Sequence, residues 1–363
     1  MDELTALIAA IPAPDAAAIA AAARRQAGLA KPPGSLGRLE DISIKLAGIT
    51  GQVCNFISRR RIIVLCADNG VVAEGVSSAP RSVTAAQAVN MTKHRTGMSS
   101  MAYHFGNQIE VVDVGIAEPY DCPDIINRHI ADGTRDLAHE PAMTREETMR
   151  ALFVGVERAE AAKRDGIQVV GVGEMGIGNT TTSAAVLAAL TGLRVEAVTG
   201  RGGGLSDAAF AKKKKLIRAA LRLHKPDRGD VIDVLSKVGG LDIAAMCGVF
   251  LGCAMNRLPV VIDGFISVVA ALCACRLCPA AAAYMFPSHA SYEPGYTAAI
   301  RELGMEPWLL MGMRLGEGSG CPIAFEVMDA ACAAMNGMAS FGEDADIDDG
   351  YLEEIRRKDS FTV

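Results

Sequence analysis

From residue 58 onward the chain alternates short continuous apolar runs with helical stretches, and that rhythm limits the folds open to it. Six runs read as strands: Ile62–Ala67, Ile109–Val114, Ile167–Val172, Arg194–Thr199, Pro259–Asp263 and Ala282–Phe286. Most are continuously hydrophobic, which predicts strands buried on both faces and so a mostly parallel six-stranded sheet covered by helices. Helical spacers between them make the connections right-handed βαβ crossovers in an α/β fold.

The residues after each run carry a second message. In order they are Asp68-Asn69-Gly70, Asp113-Val114-Gly115, Gly173-Glu174, Gly200-Arg201-Gly202, Asp263-Gly264 and Pro287-Ser288-His289. Ligands of open α/β sheets bind outside the carboxyl ends of the strands. Turns after strands use Gly and Asp in any case, but turn chemistry alone does not call for an acid in four of the six exits.

Composition narrows the function classes. The 363 residues suffice for one large core or two moderate ones. A net charge of −6 and 5% aromatics argue against a nucleic-acid partner, which needs a basic face and stacking rings. The ten cysteines lie scattered among apolar residues and read as reduced core residues. Even Cys273, Cys275 and Cys278 match no standard zinc or iron–sulfur spacing, so no metal is expected. The start, MDELTALIAAI, lacks a basic leader region, and Asp263 interrupts the most apolar stretch, Leu258–Cys275. A cytoplasmic protein without a membrane span is expected.

Both chain ends look helical. Asp15–Leu29 and Arg38–Ile49 carry apolar stripes, joined by KPPGSLGRLE (31–40), in which Ser35 could cap the second helix. Near the other end a helix is read over Ala324–Met338. An acidic turn follows, with Glu343, Asp344, Asp346, Asp348 and Asp349, and then a last short helix.

Residues 171–182, GVGEMGIGNTTT, carry the sharpest chemical signal. An apolar run leads into glycines, one acid and a helix read over Thr180–Leu190. Glycines let backbone approach a ligand, while free N–H groups and the helix dipole favour a phosphate. Gly171, Gly173 and Gly176 also fall in GxGxxG spacing. A dinucleotide fingerprint, however, belongs to the first βα unit and needs an acid at the next strand's tip, about 20 residues on. Here the next run ends Val198-Thr199-Gly200, and Glu174 inside the loop would repel a pyrophosphate. A monophosphate held by Gly176, Ile177, Gly178, Asn179, Thr180 and Thr181 fits better.

Four other positions stand out. Lys213, within KKKK (212–215), shares a helical stripe with Phe210 and Ile217. Its charge there needs a partner such as a phosphate; a solvated helix face is the plainer alternative. Glu317, in LGEGSG, is either a turn residue or a carboxylate lifted by apolar surroundings toward a useful general base. Arg201 in TGRGGG is a candidate anion contact, and His289 is either a ligand contact or a structural histidine. No Ser/His/Asp arrangement or HExxH is visible.

Seven stretches, in order, resemble the nicotinate-nucleotide–dimethylbenzimidazole phosphoribosyltransferase family. They are KPPGSLGRLE (31–40), ADNGVVAEGVS (67–77), GEMGIGNTTTSAA (173–185), VTGRGGGL (198–205), VGGLDIAAM (238–246), PVVIDGFIS (259–267) and MRLGEGSG (313–320). The resemblance implies transfer of phosphoribose from nicotinate mononucleotide to 5,6-dimethylbenzimidazole, with inversion at the anomeric carbon. The products would be nicotinate and α-ribazole phosphate for cobalamin assembly. It implies no cofactor, a Rossmann-like doubly wound domain over 58–320, a small helical domain from 1–57 with 321–363, and a homodimer.

By the same resemblance Glu317 matches the general base and Glu174 the second active-site acid. Gly176–Thr181 and Lys213 match the phosphate site. Gln87, Ser78, Ala79 and Leu315 match the base pocket, and Arg201, Asp263 and Ser291 match further substrate contacts. Two departures bear on the acceptor. Asn69 stands where the family often has His in ADHG, and Ala79 stands where a pocket serine is expected, with Ser78 one residue early. Another benzimidazole, a purine or a phenolic acceptor stays open. The other classes weighed are a non-catalytic nucleotide-binding homologue, which would lack Glu317 or the phosphate loop, and a nicotinamide-dependent oxidoreductase, which lacks its ribose acid.

Overall fold

The computed structural model of the chain describes residues 3–341, in two compact units. One holds residues up to Pro12 and Arg59–Ala324; the other holds Ala13–Ser58 and the chain from Phe325.

The larger unit is built on a six-stranded sheet in which every pairing is parallel. Its strands are β1 (Arg60–Ala67), β2 (Gln108–Gly115), β3 (Ile126–Asn127), β4 (Val169–Met175), β5 (Val260–Ile262) and β6 (Met285–Pro287). They lie in the order β3-β2-β1-β4-β5-β6, so the winding reverses between β1 and β4. That is the Rossmann-like order, and its reversal leaves a crevice at the strands' carboxyl ends. Both strands flanking the reversal are buried along their whole length, as their uninterrupted apolar runs require. Arg61 enters this core with partners around its guanidinium, Glu110 at 3.1 Å and Gln108 at 2.9 Å on β2 and Asp165 at 2.8 Å after helix Arg145–Arg164.

Three strand readings are corrected. Arg194–Thr199 forms a helical turn, Val195–Val198, with Val195 and Val198 buried and Glu196 and Ala197 exposed. Three-residue spacing is helical, and Glu196, paired with Arg218, would be an ionised group in a sheet covered on both faces. The sheet instead gains β3, two residues at its edge, too short to show any periodicity. Ala282–Phe286 divides into a 3-10 turn, Pro279–Tyr284, and β6. The run expected at Ile167–Val172 becomes strand over Val169–Met175, so Gly173 and Glu174, expected in the loop, are strand residues like Gly171.

Helices Arg145–Arg164 and Leu241–Met255 pack with their backbones almost touching. A β-carbon at Gly155 would run into the Ala245 carbonyl, and one at Gly248 into the Leu152 carbonyl. Nearly all of the Leu241–Met255 helix is buried, consistent with its apolar surface all round.

In the smaller unit, helices Ala16–Gly28 and Arg38–Thr50 bury Ala18, Ala22 and Ala47 with Met335. Asp15 caps the first helix, accepting from the Ala18 N–H at 2.9 Å. Ser35 does not cap the second; Gly37 occupies that position with positive φ, which only glycine adopts cheaply. Glu40 in its first turn instead ties down the preceding loop, accepting from the Leu36 N–H at 3.0 Å and from Lys31 at 2.7 Å. The helix read as Ala324–Met338 spans Cys321–Gly337, and the acidic turn and final helix lie outside the described residues. All ten cysteines are free. Among the described residues no helix is long and apolar enough to cross a membrane.

The glycine contact yields a test. Gly248→Val forces a branched side chain into the Leu152 carbonyl and should lower unfolding free energy by at least about 3 kcal/mol, read from urea denaturation.

Candidate active site

A cleft of about 240 Å³ opens at the carboxyl ends of the central strands. Its walls come from six separated stretches: the 76–87 segment after β1, the end of β4 with the turn that follows it (174–180), Arg201–Leu205, Gly264–Ile266, Ser291 with Glu293, and Arg314–Glu317.

One wall suits an anion. Helix Asn179–Thr191 starts at Gly178, whose φ of 95° no side-chain-bearing residue adopts readily. The Ile177 N–H donates to Thr84 Oγ1 at 3.2 Å and the Asn179 N–H to the Gly176 carbonyl at 3.1 Å. The Gly178 and Thr180 N–H groups have no acceptor among the described residues, so the helix start presents open donors. Lys213 is fully buried behind this wall, with Nζ donating to Thr180 Oγ1 at 2.8 Å and to the Gly200 carbonyl at 3.2 Å. Burial pulls its pKa down to about 8, and Glu293 partly offsets that.

The same cleft carries acids. Glu317 has φ of 63°, a left-handed backbone costing a non-glycine residue about 1–2 kcal/mol. Two buried acids hold it there. Glu174 Oε1 accepts from the Glu317 N–H at 3.1 Å, while Asp263 accepts from Gly318 at 3.1 Å and Gly320 at 2.6 Å. Gly173 is indispensable beneath this loop, because a β-carbon there would lie 2.5 Å from the Glu317 carbonyl oxygen. Glu317 Oε2 accepts from the Met98 N–H at 3.1 Å, at the start of helix Gly97–His104. Burial lifts the Glu317 pKa against the pull of Met98 and Thr96. Glu174 is raised further, to about 8, by burial first and Asp242 second.

The expected site residues fall into two groups. Glu317, Glu174, Gly176, Ile177, Gly178, Asn179, Thr180, Gln87, Ser78, Ala79, Leu315, Arg201 and Ser291 all line the cleft. Thr181, Lys213, Asp263 and His289 stand behind it. Thr181 is buried with its hydroxyl unpaired, and His289 is buried with Nδ1 3.1 Å from Ser288 Oγ and 3.8 Å from Asp263. Arg201 turns its guanidinium to Asp207, the Leu205 carbonyl and the Phe210 ring. Gln87 Oε1 accepts from Asn90 Nδ2 at 2.9 Å, which leaves its own N–H₂ for a ligand.

Similarity to known proteins runs the length of this architecture. A family model described as phosphoribosyltransferase matches residues 11–347. The nicotinate-nucleotide–dimethylbenzimidazole phosphoribosyltransferase of Clostridium perfringens is 52% identical over 342 residues, covering 94% of each chain. That of Geobacter sulfurreducens is 46% identical, covering 94% of this chain and 98% of its own. The crystal structure of the Thermus thermophilus enzyme superposes with a TM-score of 0.85 at 37% identity, covering 90% of this chain and 97% of that one. The chain belongs to this phosphoribosyltransferase family.

Within that family frame, two cleft residues escaped the sequence reading. Arg314 is exposed at the cleft and has no ion pair among the described residues. Its place three residues before Glu317 was the available signal. Glu293 is buried in the wall, with Oε1 accepting from the Gly202 N–H at 2.9 Å and Oε2 unpaired. Nothing in SYEPGY distinguishes it from an ordinary acid at a helix start.

The raised acid makes stability depend on pH. Glu174 moves from 4.5 to about 8, so its contribution is intact below about 4.5 and is lost as pH rises toward 8. Glu174→Gln cannot ionise. Its unfolding free energy relative to wild type should therefore improve from pH 5 to pH 8 by at least about 1.4 kcal/mol, one pKa unit's worth. Parallel denaturant titrations at the two pH values check this; a pH-independent difference contradicts it.

Proposed function

We propose that the chain transfers phosphoribose from nicotinate mononucleotide to 5,6-dimethylbenzimidazole, releasing nicotinate and α-ribazole phosphate for cobalamin assembly. The observation that carries the reading is one cleft lined both by open N–H donors and by Glu317 with Glu174. The 5′-phosphate takes the Gly176–Thr181 turn, with Lys213 behind it as counter-charge. Ser291, Arg201 and Asp263 complete the donor side, Asp263 through the loop that it holds.

The acceptor lies between Gln87, Ser78, Ala79 and Leu315, a wall that Val76 and Val83 make largely apolar. That suits a flat heteroaromatic ring with a few polar contacts.

In the reaction an acceptor ring nitrogen forms a bond to the anomeric carbon. The bond from that carbon to the pyridinium nitrogen breaks, and its electron pair stays on nicotinate. The acceptor's other ring nitrogen gives its proton to the Glu317 carboxylate. Glu317 is suited to this because burial raises its affinity for a proton. Glu174 lies beside the reacting ribose. The cationic pyridinium favours its carboxylate form, and that carboxylate stabilises the positive charge growing at the anomeric carbon. Alignment of two bound rings supplies the rest of the acceleration.

The resemblance of the motifs supports a transfer domain over residues 58–320, a helical domain from 1–57 with 321–363 and two chains as the working assembly, although residues up to Pro12 group with the larger unit.

Glu317→Ala should lower kcat by about 10²–10⁴-fold while nicotinate mononucleotide still binds. Chromatography of nicotinate released with dimethylbenzimidazole, other benzimidazoles, a purine or a phenol reads both the activity and the acceptor preference. Near-normal turnover by the variant would rule out its role as base.

A further inference from the structure

Beneath the cleft floor lies an acid that touches no ligand space. Asp242 is fully buried at the start of helix Leu241–Met255 and does not line the cleft. Its Oδ1 accepts from the Ile243 N–H at 2.9 Å, and its Oδ2 accepts from Asn179 Nδ2 at 3.1 Å. The same Asn179 nitrogen donates a short hydrogen bond to Glu174 Oε2. One side-chain amide thus joins two buried carboxylates.

This arrangement fixes more than a distance. Two acceptor oxygens around Nδ2 settle the amide's orientation, since the reverse flip would set its oxygen against both carboxylates. Asn179 itself lines the cleft, so with both amide hydrogens engaged, Oδ1 is the atom left for a ligand. Glu174 has its second oxygen on the Glu317 N–H, and the line continues from Asp242 through Asn179 and Glu174 to the Glu317 loop. The surrounding backbone is shaped to admit Asp242: a β-carbon at Gly176 would stand 2.7 Å from its Oδ2.

We infer that Asp242 is a positioning residue for the transfer, acting through Asn179 on Glu174. It rests on the reaction proposed above. Asp242 orients the amide, the amide anchors Glu174, and the charge of Asp242 makes Glu174 harder to ionise. The other titratable groups facing this pair are Cys66 and Asp68 at the end of β1, Asp113 on β2, Asp263 after β5 and Glu317. Arg81, 3.7 Å from Asp68, and His289, 3.8 Å from Asp263, are the basic groups on that side. No cation pairs directly with Asp242 among the described residues, so its charge acts on Glu174 uncompensated.

Two variants separate geometry from charge. Asp242→Asn keeps an acceptor oxygen for Asn179 and removes the charge; Asp242→Ala removes both. Turnover of nicotinate mononucleotide with dimethylbenzimidazole is followed from pH 5 to pH 9, with thermal melting as the check of folding. For Asp242→Ala, kcat should fall about tenfold or more while KM for nicotinate mononucleotide stays within about twofold. Asp242→Asn should recover most of that loss. In both, the Glu174 inflection in kcat/KM should move at least about half a unit to lower pH.

A wild-type inflection in that range that neither variant moves overturns the inference. So does an Asp242→Ala protein with wild-type kcat, or no inflection at all in the wild type. If Asp242→Ala fails to fold, the pH profile of Asp242→Asn decides alone. Absence of nicotinate release by the wild type would instead refute the reaction itself.

Discussion

Parallel pairing of β1 with β4 is the constraint on which the rest depends. Leu65 pairs with Glu174 and Cys66 with Met175, so the two strands end level with each other. Because the winding reverses at this pair, their connections leave in opposite directions and the space above stays open. Asp68 and Asn69 from one strand and Glu174 from the other are thereby brought under one cleft. Shifting that register by one residue would turn Glu174 to the other face of the sheet and dismantle the acid wall.

Acids in this core are held mainly by amides. Asp263 takes two loop N–H groups, Glu174 takes one backbone N–H and one side-chain amide, and Glu317 takes the first turn of a helix. Neutral donors satisfy the oxygens without neutralising them. The N–H donors pull each carboxyl's proton affinity down, but burial outweighs them, so the affinity stays raised where direct salt bridges would have abolished it. Lys213 is treated the same way, resting on a hydroxyl and a carbonyl rather than on a carboxylate. Both walls hold charge that is oriented but only weakly compensated, as suits a site meeting a phosphate on one side and a developing cation on the other.

Much of this was legible in the chain because burial on both faces leaves a mark that survives in one dimension. The apolar runs of β1, β2 and β5 announce themselves, and the acids at their ends follow from adjacency. Three kinds of information were not local. β3 is two residues long and is held only by Val112 and Asp113 of its neighbour. Val195–Val198 has β-type residues, but the exposure of Glu196 and its Arg218 partner decide for helix. Asp242 reads as one more polar residue at a helix start, and its link to Asn179 spans 63 positions. Lys213 shows the middle case: the stripe placed it on a buried face, but its partner, Thr180, came only from the fold.

The cleft draws its walls from six stretches between Val76 and Glu317, each carried by a different part of the sheet's connections. A contiguous fragment that keeps all six stretches must run from Val76 to Glu317. During synthesis, the phosphate turn emerges well over a hundred residues before the acid that it must face. Until residue 317 is in place the growing chain holds an anion-binding loop without reactive capacity, which keeps a glycosidic bond-breaking centre from forming before the core that shields it from water.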